Sequence, residues 1–264
     1  MLPAGKRNSS DTTNSYGPVA RLQFTGLANH SGQVLDGYTY GYNQIGERTN
    51  IVRNYGLMTS SANAGYDAIG ELTSWSAREA SGAPRLNEQL GYAYDAAGNL
   101  QQRTNNALVQ SFSVDGANEL TNIVRSGLLT VSGNTPLPAS SVTVNGQPAL
   151  TYADFTFASA NGFVLANGQN TFTNLASNYN GTAGLTNTLT VNLPGKVNLQ
   201  YDANGNLLAD GLRNFAYDDE NQLTSVWVTN GWREDFFLLV NRVLAMENVR
   251  GLLCITDNAC MRVR

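Results

Sequence analysis

The sequence predicts an all-β protein, an array of β-hairpins forming an open, twisted sheet that is interrupted by an inserted β-sandwich. Three observations predict it. A pattern of Tyr or Val, then Asp or Asn, then Gly or Asn three residues later recurs six times at fixed internal spacing. Asn (32) and Gly (26) are abundant, and these residues best tolerate the positive φ that tight turns require. Residues 126–195, in the middle of the chain, carry a single charged side chain, Asp154, so a stretch of different composition has been set into the array.

The repeat is clearest at Tyr92-Ala-Tyr-Asp-Ala-Ala-Gly-Asn-Leu100. It returns as Tyr201-Asp-Ala-Asn-Gly-Asn-Leu207 and Tyr66-Asp-Ala-Ile-Gly-Glu-Leu72, and more loosely from Tyr42, Val114 and Tyr217. The second position holds Asn43, Asp67, Asp95, Asp115, Asp202 and Asp218. Asp or Asn at the first corner of a turn accepts a hydrogen bond from the backbone two residues on. Three residues later stand Gly46, Gly70, Gly98, Asn118, Gly205 and Asn221. This column is expected in the left-handed conformation, where it forms a bulge into the returning strand. Flanking residues alternate as in strands, Tyr92 and Tyr94 before one turn, Leu223, Ser225 and Trp227 after another. One such hairpin cannot bury its own face, whereas a row of them can.

These copies resemble the YD repeat of the RHS and teneurin-like family, whose consensus runs roughly Tyr-x-Tyr-Asp-x-x-Gly-Arg/Asn-Leu. The resemblance covers about residues 38–125 and 196–230. It implies a β-sheet that spirals into a hollow shell, either enclosing a C-terminal toxin or standing at the cell surface for cell contact or glycan binding. An extracellular or cell-surface location follows from the resemblance alone.

Between Asp115 and Asp202 the repeat spacing stretches to 87 residues, and removing residues 126–195 leaves 17, an ordinary interval. The insert reads as short strands near 128–131, 141–144, 153–158, 162–165, 170–175 and 188–193, with Asn-Gly turn signals at Asn145, Asn161, Asn167 and Asn180. Regular short strands of this kind suggest a small sandwich. Val142-Thr-Val-Asn-Gly146 and the downstream Phe155-Thr-Phe resemble Ig-like modules such as the glucodextranase accessory module, which implies a spacer or a glycan binder. The organisation expected is therefore a lead-in with a partial repeat (1–37), repeats (38–125), an Ig-like insert (126–195), resumed repeats (196–230) and an off-pattern tail (231–264).

In the tail, Phe236, Leu239, Val240, Val243 and Leu244 follow a roughly helical spacing. The tail is expected to be a capping helix or a stretch out of frame with the repeats; both cysteines, Cys254 and Cys260, fall in it.

Charge and composition exclude more than they identify. Charged residues are 14% of the chain, against about 25% in an average globular protein. The net charge is −4, which disfavours a nucleic-acid partner. One His and two Cys leave little for a zinc site or a His-based triad. No apolar run approaches the roughly 18 residues of a membrane span, and the N-terminus lacks the apolar core of a signal peptide. His30 is expected in a solvated loop, and Asp218 and Asp219 in a solvated turn. Trp75, Trp227 and Trp232 are the candidate sugar-stacking surfaces, with packing the expected role of the first two. No catalytic, metal or cofactor-binding residue is assigned. The expectation is a non-enzymatic structural segment of a larger exported shell or surface protein. The alternatives are a carbohydrate-binding module and a truncated fragment without function of its own.

Overall fold

A computed structural model describes residues 10–178, 183–238, 252–256 and 259–262, and no helix occurs among the described residues. Contacts divide the chain into two units, residues 1–110 with 125–195, and residues 111–124 with 196–264.

In the first unit eight strands follow one another as an antiparallel meander: β1 (Ser10–Tyr16), β2 (Leu22–Asn29), β3 (Val34–Tyr42), β4 (Arg48–Tyr55), β5 (Met58–Tyr66), β6 (Leu72–Glu79), β7 (Pro84–Tyr94) and β8 (Leu100–Asn105). Every second connection is a Tyr-Asp turn, so these turns share one edge of the sheet.

Each turn is built as its sequence predicts. At Asp95 the Gly98 N–H closes the turn onto the Asp95 carbonyl at 3.0 Å, and the Asp95 N–H reaches the Asn99 carbonyl at 2.9 Å. The Asp95 carboxylate accepts the N–H groups of Ala97 and Asn99 at 2.9 and 2.8 Å. The same closure recurs from Asn43, Asp67, Asp115, Asp202 and Asp218. All six residues of the Gly/Asn column have positive φ, between 62° at Asn118 and 97° at Gly46. The strand register shifts at Tyr42, Tyr66, Tyr94, Tyr201 and Tyr217, which is the expected bulge.

A seventh turn closes between Gly17 and Arg21, with Ala20 at φ 57°. It has Gly17 where the others have Asp or Asn and Ala20 where they have Gly or Asn, so both diagnostic columns are blank and the pattern does not reveal it. Residues 10–29 thus form a whole hairpin, where a lead-in with a partial repeat is expected.

The tyrosines do more than flank the turn. The Tyr42 hydroxyl donates to the Leu22 carbonyl (2.7 Å), Tyr66 to Arg48 (2.9 Å) and Tyr94 to Leu72 (3.0 Å). In each case the acceptor ends the preceding turn, so the hydroxyl ties one repeat to the one before it.

Cross-strand pairing sorts the side chains onto two faces. Tyr38 pairs with Arg53 and Arg53 with Ser60; Tyr40 pairs with Ile51, Ile51 with Ala62 and Ala62 with Ala77. This face is aromatic, aliphatic and charged. The other carries Thr39, Val52, Ser61 and Arg78, with Asn50, Asn63 and Ser76 one step along. Asn50 Nδ2 donates to Asn63 Oδ1 across the strands at 2.9 Å.

Strands β9 (Leu108–Val114) and β10 (Leu120–Leu129) have residues in both units. The insert then supplies β11 (Ser132–Asn134), β12 (Ser141–Val144), β13 (Gln147–Thr151), β14 (Thr156–Ser159), β15 (Phe163–Val164), β16 (Gly168–Ser177) and β17 (Ala183–Leu193). Where the sequence suggests two facing sheets, hydrogen bonding joins six of these strands into one, in the order β11-β14-β13-β12-β16-β17. The second layer comes from the short β15, which pairs with Leu128 and Leu129 of β10. Its Phe163 meets Phe172 edge-on at 5.8 Å, over a core of Val142, Val144, Phe157 and Phe172. Strand β13 escapes a sequence reading because Pro148, which has no N–H to give a sheet, lies within it. The Asn145-Gly146 turn adopts φ 48° and 77°, as an Asn-Gly hairpin turn should. The turn signal at Asn180 lies outside the described residues.

The second unit resumes the hairpins. Strand β18 (Lys196–Asn198) pairs with Asn122–Val124 of β10. A further sheet follows, formed from β19 (Gln200–Tyr201), β20 (Leu207–Ala209), β21 (Arg213–Tyr217), β22 (Leu223–Val228), β23 (Arg233–Leu238), β24 (Leu252–Thr256) and β25 (Ala259–Arg262). The tail corrects the expected capping helix. Residues 233–238 are a strand, because Asn230 (φ 57°) and Gly231 turn the chain back and the Val228 N–H bonds the Trp232 carbonyl at 3.0 Å. Of the helix-spaced residues only Phe236 is described, and it sits in β23; Leu239, Val240, Val243 and Leu244 lie outside the described residues.

Two substitutions test this account. Tyr94→Phe removes one inter-repeat hydrogen bond and should lower stability by about 0.5–1.5 kcal/mol in chemical denaturation. Gly98→Ala forces a Cβ into a left-handed residue (φ 80°) and against Glu71 Oε1 at 3.1 Å, and should cost about 1–2 kcal/mol.

Candidate functional site

The most elaborate polar cluster lies on the aromatic face of the first unit, where the insert meets the meander. Its centre is Arg85, at the start of β7, whose side chain is only 6% exposed. A buried guanidinium is tolerated when its donors are satisfied, and here they are. Arg85 Nε bonds Glu88 at 2.7 Å, Nη1 bonds Glu79 at 2.5 Å, and Nη2 bonds Asp154 at 3.1 Å and the Thr156 hydroxyl at 2.9 Å.

Asp154, the one charged residue of the insert, bridges two arginines. Its second contact is Arg53 Nη1 at 3.2 Å, while Arg53 holds Asp36 with both Nε and Nη2 at 3.0 Å. Tyr152 completes the contact: its ring lies under the Arg85 guanidinium at 4.6 Å, and its hydroxyl accepts the Leu86 N–H at 2.7 Å. The turn that aims Asp154 is strained, with Phe155 at φ 66°, and is closed by Phe155 N–H to the Tyr152 carbonyl at 3.1 Å.

Burial works against the charge of Arg85, but the bonds to Glu88 and Glu79 and the fields of Glu88 and Asp154 outweigh it and hold its pKa above the ordinary value. Burial likewise pushes Asp154 upward, yet the Thr156 hydroxyl and Arg85 leave it below the usual carboxylate value. Burial raises the Tyr152 phenol. These groups pair with one another, and the arrangement clamps the insert onto the meander.

Beside the clamp is a cleft of about 330 Å³ whose walls include Tyr38, Tyr40, Arg48, Trp75 and Glu88. Tyr38 and Tyr40 stack at 6.5 Å and 9°, with Arg53 against the first ring (5.6 Å) and Arg48 against the second (4.2 Å). Each of the two rings thus has a guanidinium group against it, and Trp75 is the indole in the cleft wall. Trp227 belongs to the second unit, half-buried on β22 with Arg233 at 5.3 Å. Trp232 is 51% exposed in the turn before β23. The three candidate tryptophans therefore do not share a surface within either unit. Asp218 is spent on the Glu220 and Gln222 N–H groups and Asp219 is exposed, so they form no acid pair. His30 is exposed in the Asn29–Gln33 turn. Among the described residues no group of three or more His, Cys, Asp or Glu could hold a metal ion.

Asp154 is conspicuous in the sequence as the only charge in its segment. Its partners are not, because Arg53 and Arg85 lie 101 and 69 residues away with nothing local to mark them.

No family model and no curated protein matches the chain. Among solved structures, one described as "Crystal Structure of TcdB2-TccC3-Cdc42" aligns with TM-score 0.33 and 11% identity over 86% of this chain. Another, "Crystal Structure of TcdB2-TccC3", aligns with TM-score 0.30 and 11% identity, again over 86%. The chain spans 13% of the length of each.

Removing Arg85 leaves three carboxylates facing each other, so Arg85→Met should destabilise the first unit by about 3–5 kcal/mol. Asp154→Asn leaves Arg85 with Glu79 and Glu88 and should cost less. It should raise amide exchange selectively at residues 84–88 and 152–156, as read by mass spectrometry. Acid should act through the same group. An aspartate with a lowered folded pKa contributes fully above its unfolded value of about 3.9, and the contribution is lost as pH falls through the folded value. Docking of the insert should therefore hold at pH 5 and above (roughly one unit over that value) and fail in stronger acid. In Asp154→Asn this acid step should be reduced.

Proposed function

We propose that the chain is a non-enzymatic wall segment of a larger exported or cell-surface shell of the YD-repeat kind, with the insert as a rigidly seated spacer. The observation that carries this reading is the tyrosine bond from each repeat to the preceding one, repeated at Tyr42, Tyr66 and Tyr94. A device that registers each hairpin on its neighbour serves a continuous wall. The acids also support a structural role. The turn aspartates accept backbone N–H bonds, and the half-buried acids Glu79 and Asp154 are neutralised by Arg85. Toxin encapsulation or cell contact would be the work of the whole protein.

A wall segment taken alone presents unpaired edges. Among the described residues strand β1 pairs only with β2, and all seven of its residues are exposed, an arrangement that invites edge-to-edge association. Sedimentation velocity of the isolated chain should show concentration-dependent self-association, suppressed by Thr12→Lys with Asn14→Lys. A chain that remains a monodisperse, cooperatively melting monomer would count against the wall reading.

A second reading, a glycan-binding module, is favoured by one observation, the position of Trp75 in the wall of the 330 Å³ cleft. Glycan titration followed by tryptophan fluorescence should then give saturable binding that Trp75→Ala abolishes and Trp227→Ala leaves intact.

A further inference from the structure

The edge of the meander that carries the Tyr-Asp turns also carries a row of apolar side chains that no core uses. The residue just before the left-handed position is Val19 in the first turn, Ile45 in the second and Ile69 in the third. They are 68%, 75% and 79% exposed. The equivalent residues of the other turns are Ala97, Ala117, Asn204 and Glu220, so the large apolar side chains are confined to three successive turns of the first unit.

The backbone that carries these side chains is fixed. The turns under them are closed by the Ala20, Gly46 and Gly70 N–H groups, and the Ile69 N–H is itself bonded to the Asp67 carboxylate at 2.9 Å. Consecutive Tyr-Asp turns are two strands apart, which sets the row at a step of about 9.6 Å.

Charged side chains lie over the turns between the steps, with Arg21 over Gly46 in the first and carboxylates farther along. Glu47 lies over Gly70 and Glu71 over Gly98, at 3.0 and 3.1 Å from where a Cβ would stand. With Asp67 and Asp95 they place four carboxylates on the second to fourth turns, toward the Ile69 end of the row. Hydrogen bonds from Glu71 to Asp67, and from Asn99 to Asp95, hold these two aspartates below the usual carboxylate value, so they remain charged. Arg21, bonded to the Asn43 carbonyl at 3.3 Å, lies over Gly46 between the first and second turns, so the acidic part of the row is its Ile69 end.

We propose that this rim is a docking surface for a basic amphipathic helix of a partner protein. Apolar residues seven apart on a helix recur on one face every 10.5 Å or so, close to the step of the row. Same-face residues of an extended strand recur about every 6.8 Å or 13.6 Å and miss it. Lysines beside the apolar residues would meet the carboxylates, whereas an anionic bilayer would be repelled by them. A second copy is the poorer occupant, because its own rim repeats the same acids. The inference does not depend on the wall reading.

The test uses the whole chain and a fluorescein-labelled helical peptide of about twenty residues, with leucines seven apart and lysines flanking them. A control peptide has the same composition with leucines five apart. Saturable binding by anisotropy is expected for the first peptide, at least about tenfold weaker for the control, and falling with salt. Ile45→Ser with Ile69→Ser should weaken it about tenfold or more while the circular dichroism spectrum is unchanged. Equal binding of both peptides, or undiminished binding by the double variant, would overturn the proposal. So would flotation of the chain with phosphatidylcholine–phosphatidylserine vesicles that the double variant abolishes, since that assigns the row to a membrane.

Discussion

Everything in this chain hangs on a five-residue turn in which one residue is forced to positive φ. The carboxylate or amide at its first corner ties down the turn's own N–H groups, and the residue three later must be left-handed to close the loop. That closure sets the bulge at the preceding tyrosine, and the bulge sets the register in which the returning strand pairs. The hydroxyl of the same tyrosine then reaches the carbonyl that ends the preceding turn. Local turn geometry is thereby converted into the lateral alignment of a sheet whose repeats bury few large side chains. Only ten apolar residues of the described chain are buried, so hydrogen bonds and register carry much of the order that a thicker core would otherwise supply.

The insert is attached by different physics. It has its own small core around Val142, Val144, Phe157 and Phe172, and it is nearly without charge. Its one carboxylate is placed where the meander offers two guanidinium groups. A lone buried charge would be costly, and a charge between Arg53 and Arg85 is not. The contact is also specific: an uncharged module can slide over an apolar face, whereas Asp154, Tyr152 and Thr156 meet Arg85 and Leu86 in one arrangement.

Legibility followed the range of the interactions. The six turns were readable because Asp and Gly act within five residues of each other. The turn at Gly17–Arg21 was not, because Ala20 takes a left-handed conformation for which it has no propensity, and only the turn's backbone hydrogen bonds reveal it. Strand β13 was hidden by Pro148. The tail shows the opposite error: an apolar spacing near 3.6 suggests a helix, yet Phe236 lies in a strand, because Asn230-Gly231 presents β23 to the open edge of β22 and sheet pairing overrides periodicity.

The sequence by itself determined that the protein is all-β, where its Tyr-Asp turns fall, and which residue in each turn would be left-handed, since these are local steric and hydrogen-bonding matters. Only the tertiary structure decided that the insert forms one six-stranded sheet closed by β15. It alone decided that Asp154 is clamped by Arg53 and Arg85, and that Val19, Ile45 and Ile69 stand in line on one edge. Those outcomes depend on which strands lie side by side, and side chains 24 to 101 residues apart carry no local mark of their meeting.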